Sequence, residues 1–278
     1  MEDFFNNPAV QLTVQGGVAP FVAALVAVLL LQSVRLCGLA LVAAFCIAVY
    51  FFAGFSFMPL TATRKIILLG IASPIVGILA DFAFKPTRIG GVVLALAGAA
   101  ATMWVFWPVL SQKPMADVWM FGGAAAIAVA FMIGFGQVFL AGDAVRAGAA
   151  GLGVGLGVGV ASVFAASATY GLYGLALGAG SGAFLLVQMI KGKPGFAGAT
   201  FTLPAMLIAG LIAAAAMILA KLPWYSLLML ALVPVGARLP VPAKAPVWLQ
   251  AVLLSLYAFV IAGVACFFAW HSEGGTPG

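Results

Sequence analysis

The sequence predicts an all-α polytopic membrane protein, with about ten transmembrane helices arranged as two five-helix inverted repeats. Three observations carry this reading. The first is composition: the chain has 278 residues, of which 65% are hydrophobic and 6% charged, and its mean hydropathy is +1.25. A soluble domain carries roughly 25% charged residues, so 12 Lys+Arg and 6 Asp+Glu cannot cover a water-facing surface. A soluble enzyme, a nucleic-acid-binding module and a disordered chain are thereby excluded, and no nucleic-acid partner is expected. The second is length: the apolar runs last about 20 residues, as a spanning helix needs, not the roughly ten alternating residues of a barrel strand. The third is a self-match between the two halves of the chain.

The apolar runs place spans at 18–34, 36–54, 66–84, 89–110, 118–140, 147–169, 171–190, 203–221, 225–238 and 247–270. The connections are short and hold the charge and proline: Arg64-Lys65, Lys85-Pro86-Thr87-Arg88, Lys113-Pro114, Lys191-Gly192-Lys193-Pro194, and Pro240 to Pro246. The ninth run is short, which leaves a tilted helix, a re-entrant segment or one span fewer open as alternatives. Trp104, Trp107, Trp119, Trp224, Trp248 and Trp270 fall towards span ends, where an aromatic belt belongs. Cys37, Cys46 and Cys266 lie in apolar runs without a CxxC and read as small packing residues. Met1-Glu2-Asp3 lacks a basic leader, so no secretory signal peptide is expected.

Orientation follows from Lys and Arg. One side holds Arg64, Lys65, Lys113 and Lys221; the other holds Arg35, Lys85, Arg88, Arg146, Lys191, Lys193, Arg238 and Lys244. The richer side should be cytoplasmic, which puts both termini outside the cytoplasm in a bacterial-type inner (plasma) membrane.

The self-match runs as follows. Leu36-Cys37-Gly38-Leu39-Ala40-Leu41 recurs as Leu172-Tyr173-Gly174-Leu175-Ala176-Leu177, a shift of 136. Thr61-Ala62-Thr63 recurs as Thr200-Phe201-Thr202, a shift of 139. Gly70 matches Gly210, and Ile78-Leu79-Ala80 matches Ile218-Leu219-Ala220, a shift of 140. Each half, 1–141 and 142–278, would hold five spans, and an odd number turns the second half upside down. In span count and length this layout is similar to the drug/metabolite transporter superfamily and to bile-acid-symporter-like carriers. An N-terminus outside the cytoplasm departs from the usual drug/metabolite layout, and no residue role is carried over from either.

Polar residues are scarce enough to weigh singly. Gly151, Gly155 and Gly159 share one face of the sixth span, with Gly153 and Gly157 as a second row. Small residues let helices approach closely in lipid, so the first reading is helix packing, with a sliding surface as the alternative. Asp81 lies near the end of the third span, four residues before Lys85. It forms either an i, i+4 surface pair or, as an intramembrane acid, the coupling group of a carrier. Asp143 with Arg146 reads as a surface pair. Thr61, Thr63, Arg64 and Lys65 gather a helix cap, a helix-dipole terminus and two cations, and form the anion or lipid-phosphate candidate. Ser73-Pro74 lies mid-span, where proline interrupts the backbone ladder. Gln137, Ser162, Ser167, Ser181 and Gln188 are further polar groups on the fifth to seventh spans. Ser73, Gln137, Ser181 and Gln188 are the substrate-contact candidates, with interhelical hydrogen bonding as the plainer use of each.

His271 is the only histidine. A bis-His haem, a His-rich zinc site and a Ser-His-Asp triad are therefore not expected, and neither a metal nor any other cofactor is. With no nucleotide motif, the pattern points to a permease for an unidentified small molecule, without its own ATPase and not an enzyme. Its expected partners are membrane lipids and, as an option, a second copy or a membrane-complex partner. The alternative is a non-catalytic membrane subunit or scaffold of a larger complex.

Overall fold

The computed structural model describes residues 8–32, 35–55, 57–83, 87–242 and 244–274. Among these the chain forms helices and no strand. Eight helices are long and apolar enough to cross a membrane: α1 (Val10–Leu31), α3 (Ala62–Phe82), α4 (Arg88–Leu110), α5 (Met115–Leu140), α6 (Ala144–Phe164), α7 (Ala168–Lys191), α8 (Gly198–Leu219) and α10 (Val247–Gly274). Two apolar helices are shorter, α2 (Leu39–Phe52) and α9 (Trp224–Gly236). Their 14 and 13 residues rise about 20 Å, less than the roughly 30 Å of a hydrocarbon core.

Local chemistry sets the helix ends. Thr61 caps α3 by accepting from the Arg64 amide. Thr87 caps α4 from the Gly90 amide at 3.0 Å. Asp143 caps α6 from the Val145 and Arg146 amides, both at 3.1 Å. These caps explain why α3 and α6 begin three to four residues earlier than their apolar runs suggest. The sixth span also ends sooner than expected, at Phe164 rather than 169. The chain breaks its helix at Ala165–Ser167, with Ala166 at φ 59°, and the one polar mark of the break is Ser167 at the N-cap position of α7.

α8 is the central helix: 94% of its membrane-length window is buried, against 22% for α1. It packs against α3, α5, α6, α7 and α9. α3 runs antiparallel to it. Gly70 of α3 lies against Ile208, Gly77 lies against Ala199 and Thr200, and Asp81 reaches the same first turn of α8. α2 crosses α7 in the same antiparallel manner, with Ala44 and Leu41 against Gly180 and Phe45 edge-on to Tyr173 at 5.6 Å.

The glycine rows of α6 serve two partners. Gly155 and Gly159 press on the backbone of α7: a Cβ on Gly155 would lie 2.7 Å from the Gly178 Cα, and one on Gly159 would lie 2.7 Å from the Leu175 nitrogen. The partner number falls as the α6 number rises, so the pair is antiparallel. Gly153 and Gly157 instead meet Ala258 and Ala262 of α10, in parallel register, and Cys266 donates to the Gly157 carbonyl at 3.5 Å.

Hydrogen bonds gather the connections into two groups. Arg146 donates to the Ala237 and Leu239 carbonyls at 2.9 and 3.0 Å, Gly198 to Ala141 at 3.1 Å, and Cys37 to Phe196 at 3.0 Å. These residues flank α2, α5, α6, α8 and α9 at one end of the bundle. At the other end Lys221 donates through its amide to Ala165 at 3.3 Å, and Thr63 bonds the Tyr170 hydroxyl at 3.0 Å.

Candidate functional site

The densest polar junction forms around the first turn of α8. Gly198 opens the helix at φ 59°, a left-handed conformation that costs glycine little. The turn's free amides face the end of α3. There Asp81 accepts from the Ala199 amide at 2.7 Å, the Thr200 amide at 2.7 Å and the Thr200 hydroxyl at 2.6 Å. Three donors converge on one carboxylate at a helix N-terminus, where the dipole favours negative charge. Gly38 and Gly77 make the approach possible: a Cβ on either would come within 2.9 Å of the Thr200–Phe201 or Ala199–Thr200 backbone. Gln137 adds a bond to the Thr202 hydroxyl at 2.9 Å, and Thr202 in turn donates to the Gly198 carbonyl at 2.8 Å. Gln137 stands in the π-helical segment Gly136–Leu140 of α5, a geometry often found at functional sites.

The sequence places Asp81 four residues before Lys85, but Lys85 lies outside the described residues. The contacts of Asp81 run to α8. Asp143 and Arg146 do pair, at 3.2 Å, with one side chain 45% exposed and the other 13%.

The substrate-contact candidates do not converge. Ser73 is buried and donates to the Gly70 carbonyl at 2.9 Å. Pro74, with no amide hydrogen, cannot supply the usual bond to that oxygen, so Ser73 satisfies it. Gln188 donates to the Ala144 and Phe184 carbonyls at 3.4 Å and accepts from the Gly195 amide at 3.2 Å, tying the end of α7 to α6 and to the turn before α8. Ser181 is fully buried against Gly151 of α6. Its hydroxyl has no hydrogen-bond partner among the described residues, and the same holds for the hydroxyls of Ser162, Tyr173 and Ser226.

The anion candidate is dispersed in the same way. Thr61 caps, Thr63 meets Tyr170, and Arg64 donates to the Pro59 carbonyl at 2.8 Å. Lys65, 7% exposed, donates to the Trp104 carbonyl at 2.9 Å and lies 4.6 Å from the centre of the Trp104 ring. Pro108 again leaves that carbonyl without its helical donor, and the lysine supplies one. A shallow cleft beside it is lined by Lys65, Met103, Trp104, Trp107 and Pro108. A second cleft, between α1, α6 and α7, is apolar and floored by Gly16, Gly17, Gly178 and Gly182. No group of three or more metal-binding side chains occurs among the described residues.

Neither Tyr170 nor Gly198 stands out in the sequence, and Thr200 and Thr202 do so only as repeat mates of Thr61 and Thr63. The available signal was Gly198, a helix-opening glycine followed by two threonines. Comparison with family models, curated proteins and solved structures gave no match.

Proposed function

We propose that this chain is a carrier for a small molecule, built from two inverted five-helix halves, 1–141 and 142–278, that cross the membrane ten times and use no ATPase of their own. One observation carries the reading. In an inverted repeat, the helices on the internal axis meet their own counterparts antiparallel, at residue pairs separated by the repeat offset. Ala44 lies against Gly180, a separation of 136, and Gly70 lies against Ile208, a separation of 138. The sequence repeat has offsets of 136 to 140 over the same two helix pairs. Substrate sites in such folds lie between the repeats, here between α2, α3, α7 and α8. The grouping of the connections at two ends supports crossings by α2 and α9 as well, with both helices set short of the full bilayer thickness.

The alternative, a membrane scaffold, is favoured by how fully Ser73, Gln188 and Lys65 are used in internal bonds. Spin-label distances separate the two readings. One pair, Thr87 with Lys193, spans the halves at the basic end; another, Ser111 with Ala168, spans them at the other end. A carrier gives two populations that change reciprocally at the two ends. A single fixed distance at each end marks a scaffold.

A further inference from the structure

Hydrogen bonds tie the two halves together at both ends of the bundle. At the basic end, Asp81 and Gln137 of the first half hold Thr200 and Thr202 of the second. Ala141 accepts from Gly198, Cys37 donates to Phe196, and Lys191 bonds Gln32. Four of these five links end on residues 196–202, the turn that opens α8. At the opposite end Thr63 and Tyr170 bond across the halves. Asp81 alone supplies three of the bonds at the basic end, all at 2.6 to 2.7 Å.

We propose that Asp81 is a latch between the halves, and that releasing it from the first turn of α8 opens the basic end of the bundle. This rests on the carrier reading above. The energetic logic is local. A carboxylate holding two amides and a hydroxyl replaces the water those donors would otherwise bind, and when it withdraws, the start of the most buried helix must be hydrated or move. The other three links to the 196–202 turn are weaker: neutral hydrogen bonds at 2.9 to 3.1 Å, one of them from a thiol, while the charged Lys191–Gln32 bond ends outside that turn. The Gly38 and Gly77 contacts carry no side chain between the backbones, so at these two points beside Asp81 no interlocked side chain holds the first turn of α8 once the polar bonds are gone.

Cys37 reports the opening without any introduced label. Its thiol is 4% exposed and bonded to Phe196 at the same junction, whereas Cys266 lies on α10 against Gly157, remote from it. The full chain in lipid nanodiscs is treated with N-ethylmaleimide, and the rate at each cysteine is read by peptide mass spectrometry. Asp81→Asn should speed modification of Cys37 by about tenfold or more, as a rise in the locally open population requires, with the Cys266 rate unchanged. Thr200→Val removes one donor of the three and should give a smaller rise, about two- to threefold. An Asp81→Asn rate at Cys37 within about twofold of wild type overturns the latch, as does a parallel rise at Cys266. If Asp81→Asn does not fold, the absence of any rise in Thr200→Val overturns it. Faster Cys37 modification without reciprocal spin-label distances keeps the latch and sinks the carrier; the reverse result keeps the carrier and sinks the latch.

Discussion

Two buried polar residues in this chain repair helix ladders. Pro74 and Pro108 each deprive a carbonyl four residues back of its donor, and Ser73 and Lys65 restore one. The sequence displays both prolines and both polar residues, and Ser73 is adjacent to its proline. It cannot display that Lys65 reaches a proline gap on another helix, because 43 positions separate Lys65 from Pro108 and the two meet only through packing. The pairing predicts non-additive mutations. Lys65→Met alone should destabilise the protein by about 1–3 kcal/mol, the cost of an unsatisfied buried carbonyl. In a Pro108→Ala background, which returns the amide, the same change should cost markedly less. Equal costs in both backgrounds, measured by thermal unfolding in detergent, would show that the lysine acts otherwise. Ser73→Ala should behave in the same way, at about 1 kcal/mol, with and without Pro74→Ala.

At the scale of helices, the glycine periodicity of α6 translates directly into partners. Residues four apart on one face meet α7, and the alternate row meets α10. Periodicity gives the two faces but not what covers them, since alanine and glycine patterns recur on several helices. Gly155→Leu should destabilise by about 3 kcal/mol or prevent folding, because the new side chain has only the Gly178 backbone to displace. Gly263→Ala on α10 meets nothing within 4 Å and should be neutral or stabilising by up to about 1 kcal/mol. A thermal-stability comparison in one detergent checks both; an unchanged Gly155→Leu would mean that α6 and α7 do not touch there. Span ends were less legible than faces. Threonine and aspartate caps lengthen α3 and α6 at their starts, and the break at Ala165–Ser167 is marked by a single serine within an alanine-rich run.

For the whole molecule, hydropathy and charge alone indicate a multi-pass helical membrane protein, and eight long apolar helices agree. The junction around Asp81 was only half visible. The acid stood out by its rarity, but its partners lie 118 and 119 positions away and depend on α3 and α8 packing antiparallel. Ten crossings in two inverted halves are tested by cysteine accessibility in sealed vesicles of both orientations. Single cysteines at Arg35, Leu60, Lys193 and Leu239, all exposed, are introduced into a chain lacking Cys37, Cys46 and Cys266 and treated with an impermeant maleimide. Arg35, Lys193 and Leu239 should be labelled from the cytoplasmic face and Leu60 from the opposite face. Leu60 and Lys193 on the same face would contradict the inversion. Arg35 on the face of Leu60, or Leu239 on a different face from Lys193, would show that α2 or α9 does not cross.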